Sequence, residues 1–242
     1  MLITVPGFAG VRQGVRHFFG TRHDPPGPDR SVCAVVSVTQ VHGTDVLVLD
    51  RPVADGQAFD GGWDALMTDQ PGVLLTVRTA DCVPVLIHDP VRGIVAAVHA
   101  GWRGAVAGIV PKTVAAMATR FGSRPASLRV SIGPSAGSCC YEVDEPVLSR
   151  LRASYADWRK LVQETGPGTA RLDLRGLVRG QAQSAGVHED GIHGVSLCTI
   201  CHPDLFHSYR RDGSVRGTMV SGIMLVPRRR VSRRVRGKRR AN

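Results

Sequence analysis

The residues best suited to chemistry lie in the segment 79–104, TADCVPVLIHDPVRGIVAAVHAGWRG. Two apolar runs, VPVLI and IVAAV, are separated by the turn sequence HDPVRG, which is typical of a β-hairpin. Because a hairpin brings the outer ends of its strands together, we expect Cys82 and His99 to be neighbours. A thiolate beside an imidazole suits either a metal ion or a nucleophile–base pair.

A second histidine extends this pair. The segment QVHG, which contains His42, follows the apolar run AVVSVT and therefore lies at the end of a predicted strand. Together with Cys82 and His99, it makes a set of three ligands that is typical of a catalytic zinc site with an open fourth position. Asp81 is a candidate to orient one of the histidines. Alternatively, the histidines satisfy loop backbone and Cys82 is a small buried residue.

Two further segments are candidates for anion recognition. Residues 133–143, GPSAGSCCYEV, could present successive backbone N–H groups, and Glu142 could bind a sugar hydroxyl or a base edge. Residues 207–213, HSYRRDG, carry paired arginines that suit phosphate or carboxylate, and Arg103 could join them. Each segment alone is equally consistent with an ordinary turn. The candidate substrate contacts are Arg103, Glu142, Tyr209, Arg210 and Arg211.

The six cysteines do not indicate a disulfide framework, because we expect no secretory signal at the N-terminus and a cytoplasmic location. Cys198 and Cys201 form a C-x-x-C pair that could serve redox chemistry or half of a zinc site. Because no second C-x-x-C in the chain completes a four-ligand site with this pair, we expect two buried thiols instead.

The predicted strands and helices that position these residues indicate an α/β protein. We expect a single-domain sandwich with a mixed β-sheet core and helices packed on it. Pro111 predicts a kink or a late start in the first predicted helix. In the last predicted helix, Asp173 is a candidate N-cap and Gly186 a candidate C-terminal stop. The predicted strands are 34–39, 45–49, 72–77, 83–87, 94–98, 128–132, 194–197 and 218–225. The predicted helices are 105–121, 145–155, 157–164 and 173–185.

The charge of the chain is concentrated at its C-terminus. The net charge is +11, but residues 227–242 contain nine Arg or Lys and no acid, so residues 1–226 carry only +2. We therefore expect a catalytic domain over 1–226 and a basic, disordered tail over 227–242 that binds nucleic acid weakly. No apolar run approaches the roughly 20 residues of a membrane span, so no membrane partner is expected.

The motifs taken together resemble the YfiH family, also called laccase-domain or multicopper polyphenol oxidase-like proteins. The resemblance covers about residues 38–225 and rests on eight segments in the same order. These are QVHG (40–43), DALMTDQPGV (64–73), TADCVPVLIHDP (79–90), AAVHAGWRG (96–104), IGP and CCYEV within 132–143, LDL (172–174), Cys198-Thr199 and SYRRDG (208–213).

The resemblance implies a zinc ion held by His42, Cys82 and His99. It also implies phosphorolysis of purine nucleosides such as adenosine, inosine or methylthioadenosine, with the arginines holding phosphate. Adenosine deamination at the same site is a further implied activity. The site residues implied to be catalytic are Cys82, Asp81 and His99.

Several alternatives remain open at the level of sequence. The same resemblance allows copper-dependent oxidation of phenols, since a soft Cys/His site also suits copper. It also allows amide hydrolysis in editing peptidoglycan precursors, with Cys82 as nucleophile and His99 as base. A different class is a nucleic-acid-associated protein that acts through its basic tail. Sequence does not fix the oligomeric state.

Overall fold

Two facing β-sheets and a layer of helices build the fold, in a computed structural model that describes residues 1–8, 14–23 and 33–227. The strands are β1 (Leu2–Ile3), β2 (Val15–Gly20), β3 (Ala34–Val36), β4 (Val46–Leu49), β5 (Ala65–Thr68), β6 (Val73–Thr79), β7 (Val83–Asp89), β8 (Ile94–Ala100), β9 (Arg129–Ile132), β10 (Glu142–Val143), β11 (Val162–Gly166), β12 (Thr169–Leu172), β13 (Ile192–Gly194) and β14 (Met219–Leu225). The helices are α1 (Trp102–Val106), α2 (Ile109–Phe121), α3 (Glu145–Ser154), α4 (Leu174–Ser184) and α5 (Tyr209–Asp212).

The strands form two large mixed sheets and one small one. The six-stranded sheet has the order β13-β9-β7-β8-β5-β4, and the five-stranded sheet has the order β1-β2-β14-β6-β3. Both large sheets contain antiparallel and parallel pairs of strands. The parallel pairs include β4 with β5 in the six-stranded sheet and β3 with β6 in the five-stranded sheet. The third sheet contains β10, β12 and β11. The predicted α/β sandwich in a single domain is confirmed.

The predicted hairpin is the centre of the six-stranded sheet. Strands β7 and β8 pair antiparallel from Val83 with Ala100 to Asp89 with Ile94, and every residue of both strands is buried. On one face Val85 and Val98 pack with the helices, and on the other Leu86 packs with the five-stranded sheet. Both faces are covered, which explains why these strands are continuously apolar instead of alternating.

The first predicted helix is divided into two. Gly108 has a φ of +84° and separates α1 from α2, so the main helix starts late, at Ile109. Pro111 lies in the first turn of α2, where its missing N–H has no intrahelical partner to lose. The predicted boundaries of α4 are confirmed, since Asp173 accepts a hydrogen bond from the Gly176 amide at its start and Gly186 follows its end.

The predictions for 157–164 and 194–197 are wrong. Residues 158–161 form a short 3-10 helix, and Val162–Gly166 then pairs with Thr169–Leu172 as a hairpin. The turn between these strands contains Gly168 with a φ of +72°, a conformation that favours the hairpin over a helix. The strand predicted over 194–197 lies instead at Ile192–Gly194, where β13 pairs with β9.

Only Pro227 of the predicted basic tail belongs to the described residues, and 228–242 lie outside them. Within the part of the chain that the structure describes, no helix has the length and apolar character needed to cross a bilayer.

Candidate active site and metal centre

Three side chains that can bind metal converge at one edge of the six-stranded sheet. His42 lies in the loop before β4, Cys82 immediately precedes β7, and His99 is near the end of β8. Their ligand atoms all lie within 4.8 Å of one another, and the two imidazole rings meet edge to face with centroids 4.8 Å apart. The register that pairs Pro84 with His99 places Cys82 beside His99, as the hairpin predicted.

Asp64 fixes the orientation of both histidines. This fully buried carboxylate accepts hydrogen bonds from His99 Nδ1 (2.7 Å), from the backbone N–H of His42 (3.0 Å) and from the backbone N–H of Gly43 (2.6 Å). A histidine whose Nδ1 donates to a carboxylate is left with Nε2 to bind a ligand. Asp64 immediately precedes β5, and the pairing of Ala65 with Val98 explains its position against His99.

The three side chains favour a thiolate at Cys82. Burial raises the pKa of the Cys82 thiol, but hydrogen bonds and positive charge from His42 and His99 outweigh burial and lower the pKa to about 7. Burial lowers the pKa of His99, but the hydrogen bonds that its ring donates to Asp64 and Cys82, together with their negative charges, raise it to about 9. His42 contributes most to lowering the pKa of Cys82 and Asp64 contributes most to raising that of His99, and the attraction between Cys82 and His99 adds to both shifts. The thiolate is the form that binds metal.

Asp81 supports the neighbouring loops, so the prediction that it orients a histidine is wrong. Its carboxylate accepts hydrogen bonds from Thr199 Oγ1 (2.5 Å), Ser208 Oγ (3.0 Å) and the Arg210 backbone N–H (2.7 Å). The carboxylate that contacts His99 is Asp64. Asp81 also has a φ of +85°, which residues other than glycine rarely adopt, so these contacts hold a strained turn directly before Cys82.

Gly101 leaves the space that the ligand set occupies. A Cβ atom at this position would lie 2.6 Å from His42 Cδ2 and 3.1 Å from Cys82 Sγ. Either approach would force the loop that carries His42 to move. The glycine directly after β8 is therefore required for the three ligands to meet.

A cavity of about 520 Å³ opens beside the three ligands. Arg78, Arg103 and Arg210 line it together with Tyr209 and Asp81, so two of the predicted arginines and the predicted tyrosine are at the cavity. The Arg103 guanidinium stacks on the Trp102 ring at 4.5 Å, and that of Arg210 lies 5.0 Å from the centre of the Tyr141 ring. Aromatic contacts thus orient two cations toward one volume.

Glu142 and Arg211 are not among the residues that line this cavity. Glu142 contributes its carbonyl oxygen, which accepts a hydrogen bond from Arg210 Nη1 at 2.6 Å. The Arg211 guanidinium donates to the carbonyls of Thr199 (2.9 Å) and Phe206 (3.0 Å) and pairs with Asp212. Both residues therefore hold the loops that carry Arg210 and do not face the cavity themselves.

Several residues of the site had no predicted role. Gln40 exchanges two hydrogen bonds of 2.8 Å with the backbone of Arg78, which ties the His42 loop to the end of β6. Tyr141 also lines the cavity, and burial together with the charge of Cys82 raises its pKa to about 12, so its hydroxyl stays protonated. A polar residue at the end of a strand is the signal that marks Gln40 and Arg78.

The prediction of two buried thiols at Cys198 and Cys201 is wrong. The sulfur atoms of Cys139, Cys140, Cys198 and Cys201 lie within 4.8 Å of one another, and Cys201 is exposed. The second pair of thiols comes from two consecutive cysteines, a spacing that a search for C-x-x-C does not detect.

Comparison with known proteins agrees with this fold. Residues 29–226 match the family model described as multi-copper polyphenol oxidoreductase laccase. The chain is 39% identical over 205 residues to purine nucleoside phosphorylase YlmD of Geobacillus stearothermophilus, covering 81% of this chain and 72% of that protein. It is 44% identical over 182 residues to a purine nucleoside phosphorylase of Streptomyces coelicolor, covering 74% and 70%.

Two solved structures share the fold. The crystal structure of YlmD from Geobacillus stearothermophilus superimposes with a TM-score of 0.78 at 32% identity, covering 92% of this chain and 94% of that chain. A Bacillus licheniformis protein described as hypothetical protein YfiH superimposes with a TM-score of 0.79 at 31% identity, covering 87% and 92%. The chain therefore belongs to the YfiH family, described by its family model as multi-copper polyphenol oxidoreductase laccase.

Proposed function

We propose that this chain is a zinc-dependent purine nucleoside phosphorylase. The observation that carries the proposal is the meeting of His42, Cys82 and His99 at the end of a cavity lined by three arginines. A site that holds a cation beside several guanidinium groups suits a reaction with an anionic co-substrate. The names of the relatives from Geobacillus and Streptomyces support the same activity.

The residues present fit a zinc ion. They offer one thiolate and two imidazoles, His99 Nδ1 is occupied by Asp64, and Gly101 leaves room where a Cβ atom would touch two of the ligands. Three protein ligands of this kind leave one coordination position for substrate or water. When bound, zinc would act as a Lewis acid that stabilises negative charge on a substrate atom.

The arginines are proposed to hold phosphate. Arg103 and Arg210 are oriented by Trp102 and Tyr141, so little side-chain freedom is lost when they bind an oxyanion. In phosphorolysis, a phosphate oxygen forms a bond to C1′ of the ribose as the bond from C1′ to the purine breaks. The electron pair of that bond leaves with the purine, which then takes up a proton. Asp81 positions Arg210 through its backbone N–H.

The nucleoside is proposed to occupy the rest of the cavity. Its volume of about 520 Å³ lies within the usual range for small-molecule sites, and Val38, Trp102 and Leu174 provide apolar surface for a purine. The Tyr141 hydroxyl, which remains protonated at neutral pH, can donate a hydrogen bond to the ligand. Adenosine, inosine and methylthioadenosine all have the purine and ribose that this arrangement requires.

The test is incubation of the purified, zinc-loaded chain with adenosine, inosine or methylthioadenosine, each with and without phosphate, followed by chromatography. From adenosine we expect adenine and ribose 1-phosphate to form only with phosphate, and we expect His99→Ala to abolish the reaction. His188→Ala is the matched control, because that histidine is 71% exposed and is not among the residues of the cavity. Inosine formed without phosphate would indicate deamination, and no product from any of the three nucleosides would contradict the proposal.

A further inference from the structure

We propose that Cys139, Cys140, Cys198 and Cys201 bind a second zinc ion, in a structural site formed entirely by thiolates. The four sulfur atoms come from two loops, one after β9 and the other after β13. None of these cysteines belongs to the ligand set at the cavity, and the proposed nucleoside chemistry makes no use of them. The site would have the ligands of a closed, four-coordinate zinc centre.

The distances between the sulfur atoms fit one shared ion. Cys201 Sγ lies 3.1 Å from Cys140 Sγ and 3.5 Å from Cys139 Sγ, and all four sulfurs lie within 4.8 Å of one another. Four sulfurs arranged tetrahedrally at about 2.3 Å from zinc are separated by about 3.8 Å. The two separations from Cys201 are somewhat shorter than that value and none of the others exceeds 4.8 Å, so small side-chain movements complete the tetrahedron.

The backbone around Cys198 favours a thiolate. The Gly137 amide donates to Cys198 Sγ at 3.3 Å. Amide groups that point at a sulfur stabilise its negative charge before any ion arrives.

The loops approach closely because position 137 is a glycine. A Cβ atom there would lie 3.1 Å from Cys198 Cβ and 3.2 Å from Cys139 Sγ. The same hypothetical atom would be 3.1 Å from Arg175 Nη2, so a guanidinium group is beside the cluster. A second guanidinium, that of Arg211, donates to the carbonyls of Thr199 and Ile200, which lie between the two cysteines of the C-x-x-C segment. These cations offset the negative charge of four thiolates around a dication.

The arrangement is less suited to a disulfide. All six cysteines belong to the described residues, and none is in a disulfide. Cys201 has two sulfur neighbours at similar distances, whereas a disulfide joins one pair at about 2.05 Å and leaves the other thiols without a role. One ion shared by all four accounts for each of them.

The proposed zinc would join two loops beside the cavity, the first of which contributes Tyr141 to the cavity wall. The first loop continues from Cys140 to Tyr141, and the second carries Thr199, whose hydroxyl holds Asp81. Binding would release thiol protons to solvent and would stabilise this wall. The site is therefore structural, and its loss should alter the stability of the loops more than the first metal centre.

The test is the zinc content of the full chain purified without chelators, measured by mass spectrometry on wild-type protein and three variants. We expect two equivalents in the wild type and one in His99→Ala. The double variant Cys140→Ser/Cys201→Ser should also retain one equivalent, whereas Cys33→Ala, which changes the cysteine outside both clusters, should retain two. A wild type with one equivalent that persists in the double variant would overturn the proposal.

Two further measurements test the site without the double cysteine variant, which could fail to fold. Cobalt-loaded His99→Ala protein should show intense thiolate-to-cobalt charge-transfer absorption, since only the four-cysteine site remains. Thiol titration of the denatured, metal-free wild type, purified without reductant, should count all six cysteines as thiols. Absence of the cobalt bands, or a count of four or fewer that indicates a disulfide, would each contradict the second zinc site.

Discussion

Replacement of Asp64 by asparagine should weaken zinc binding at His42, Cys82 and His99. Oδ1 accepts hydrogen bonds from His99 Nδ1 and the His42 amide, and Oδ2 accepts from the amides of Gly43 and Val41. In Asp64→Asn, one of these two positions becomes an NH₂ group, which donates. Whichever way the amide is turned, two donors lose their acceptor.

The expected effect follows from these contacts. If the NH₂ group faces His99, the imidazole loses the partner that fixes its tautomer, and substitutions of this kind typically lower metal affinity by about 10–100-fold. If it faces Gly43 and Val41, two N–H groups are left unsatisfied, at about 1–3 kcal/mol each. The free energy of unfolding should therefore fall by roughly 2–6 kcal/mol, and zinc should bind more weakly.

The assay is competition for zinc between the protein and a chromophoric chelator, with denaturant unfolding of the metal-free protein in parallel. Asp45→Asn is the matched control, because that side chain is exposed in the loop next to the site and the charge change is the same. Wild-type zinc affinity and wild-type stability in Asp64→Asn would refute the role given to this carboxylate.

Three further predictions concern the ligand set, the cavity and the core. Gly101→Ala should lose zinc, because the new Cβ atom would meet His42. Gly180→Ala should retain zinc, because no atom lies within 4 Å of the Cβ position at residue 180. Metal analysis of the two variants checks this difference. Arg103→Ala should raise the KM for phosphate by about tenfold or more, because a charge-assisted hydrogen bond contributes about 1.5–3 kcal/mol. Steady-state kinetics measures this KM in Arg103→Ala and in the exposed control Arg124→Ala. An unchanged KM in Arg103→Ala would exclude the contact. Burial lowers the pKa of His88 from 6.5 to about 4, so the unfolded chain takes up the proton first and stability should decrease as the pH falls from 6.5 toward 4. The total loss is on the order of 3 kcal/mol, and denaturant titrations at several pH values should show a smaller loss in His88→Gln.

Much of the fold could be predicted from local patterns. The hairpin of β7 and β8 is recognisable because its apolar runs and turn are contiguous in sequence, and it places Cys82 near His99 without further information. Residues 157–164 were predicted wrongly because a 3-10 helix and a strand share that short segment, and only the pairing with Thr169–Leu172 determines the outcome.

The remaining parts of the site depend on contacts between distant segments. Asp64 reaches His99 through the register of β5 with β8, and the residues are 35 positions apart. Cys140 and Cys201 are 61 positions apart, so no local spacing indicates that their sulfurs meet. Arg211 has the residue type expected for anion binding, but its guanidinium is occupied by backbone carbonyls of its own loop.

The burial of the β7–β8 hairpin on both faces has a consequence for how this enzyme family can diversify. Cys82 and His99 are attached to the most protected strands of the molecule, whereas Arg103, Tyr209 and Arg210 are exposed residues on short helices outside the sheets. Substitutions on those helices can change what the cavity binds without disturbing the ligand set. Selection can therefore alter substrate preference while the metal centre stays the same.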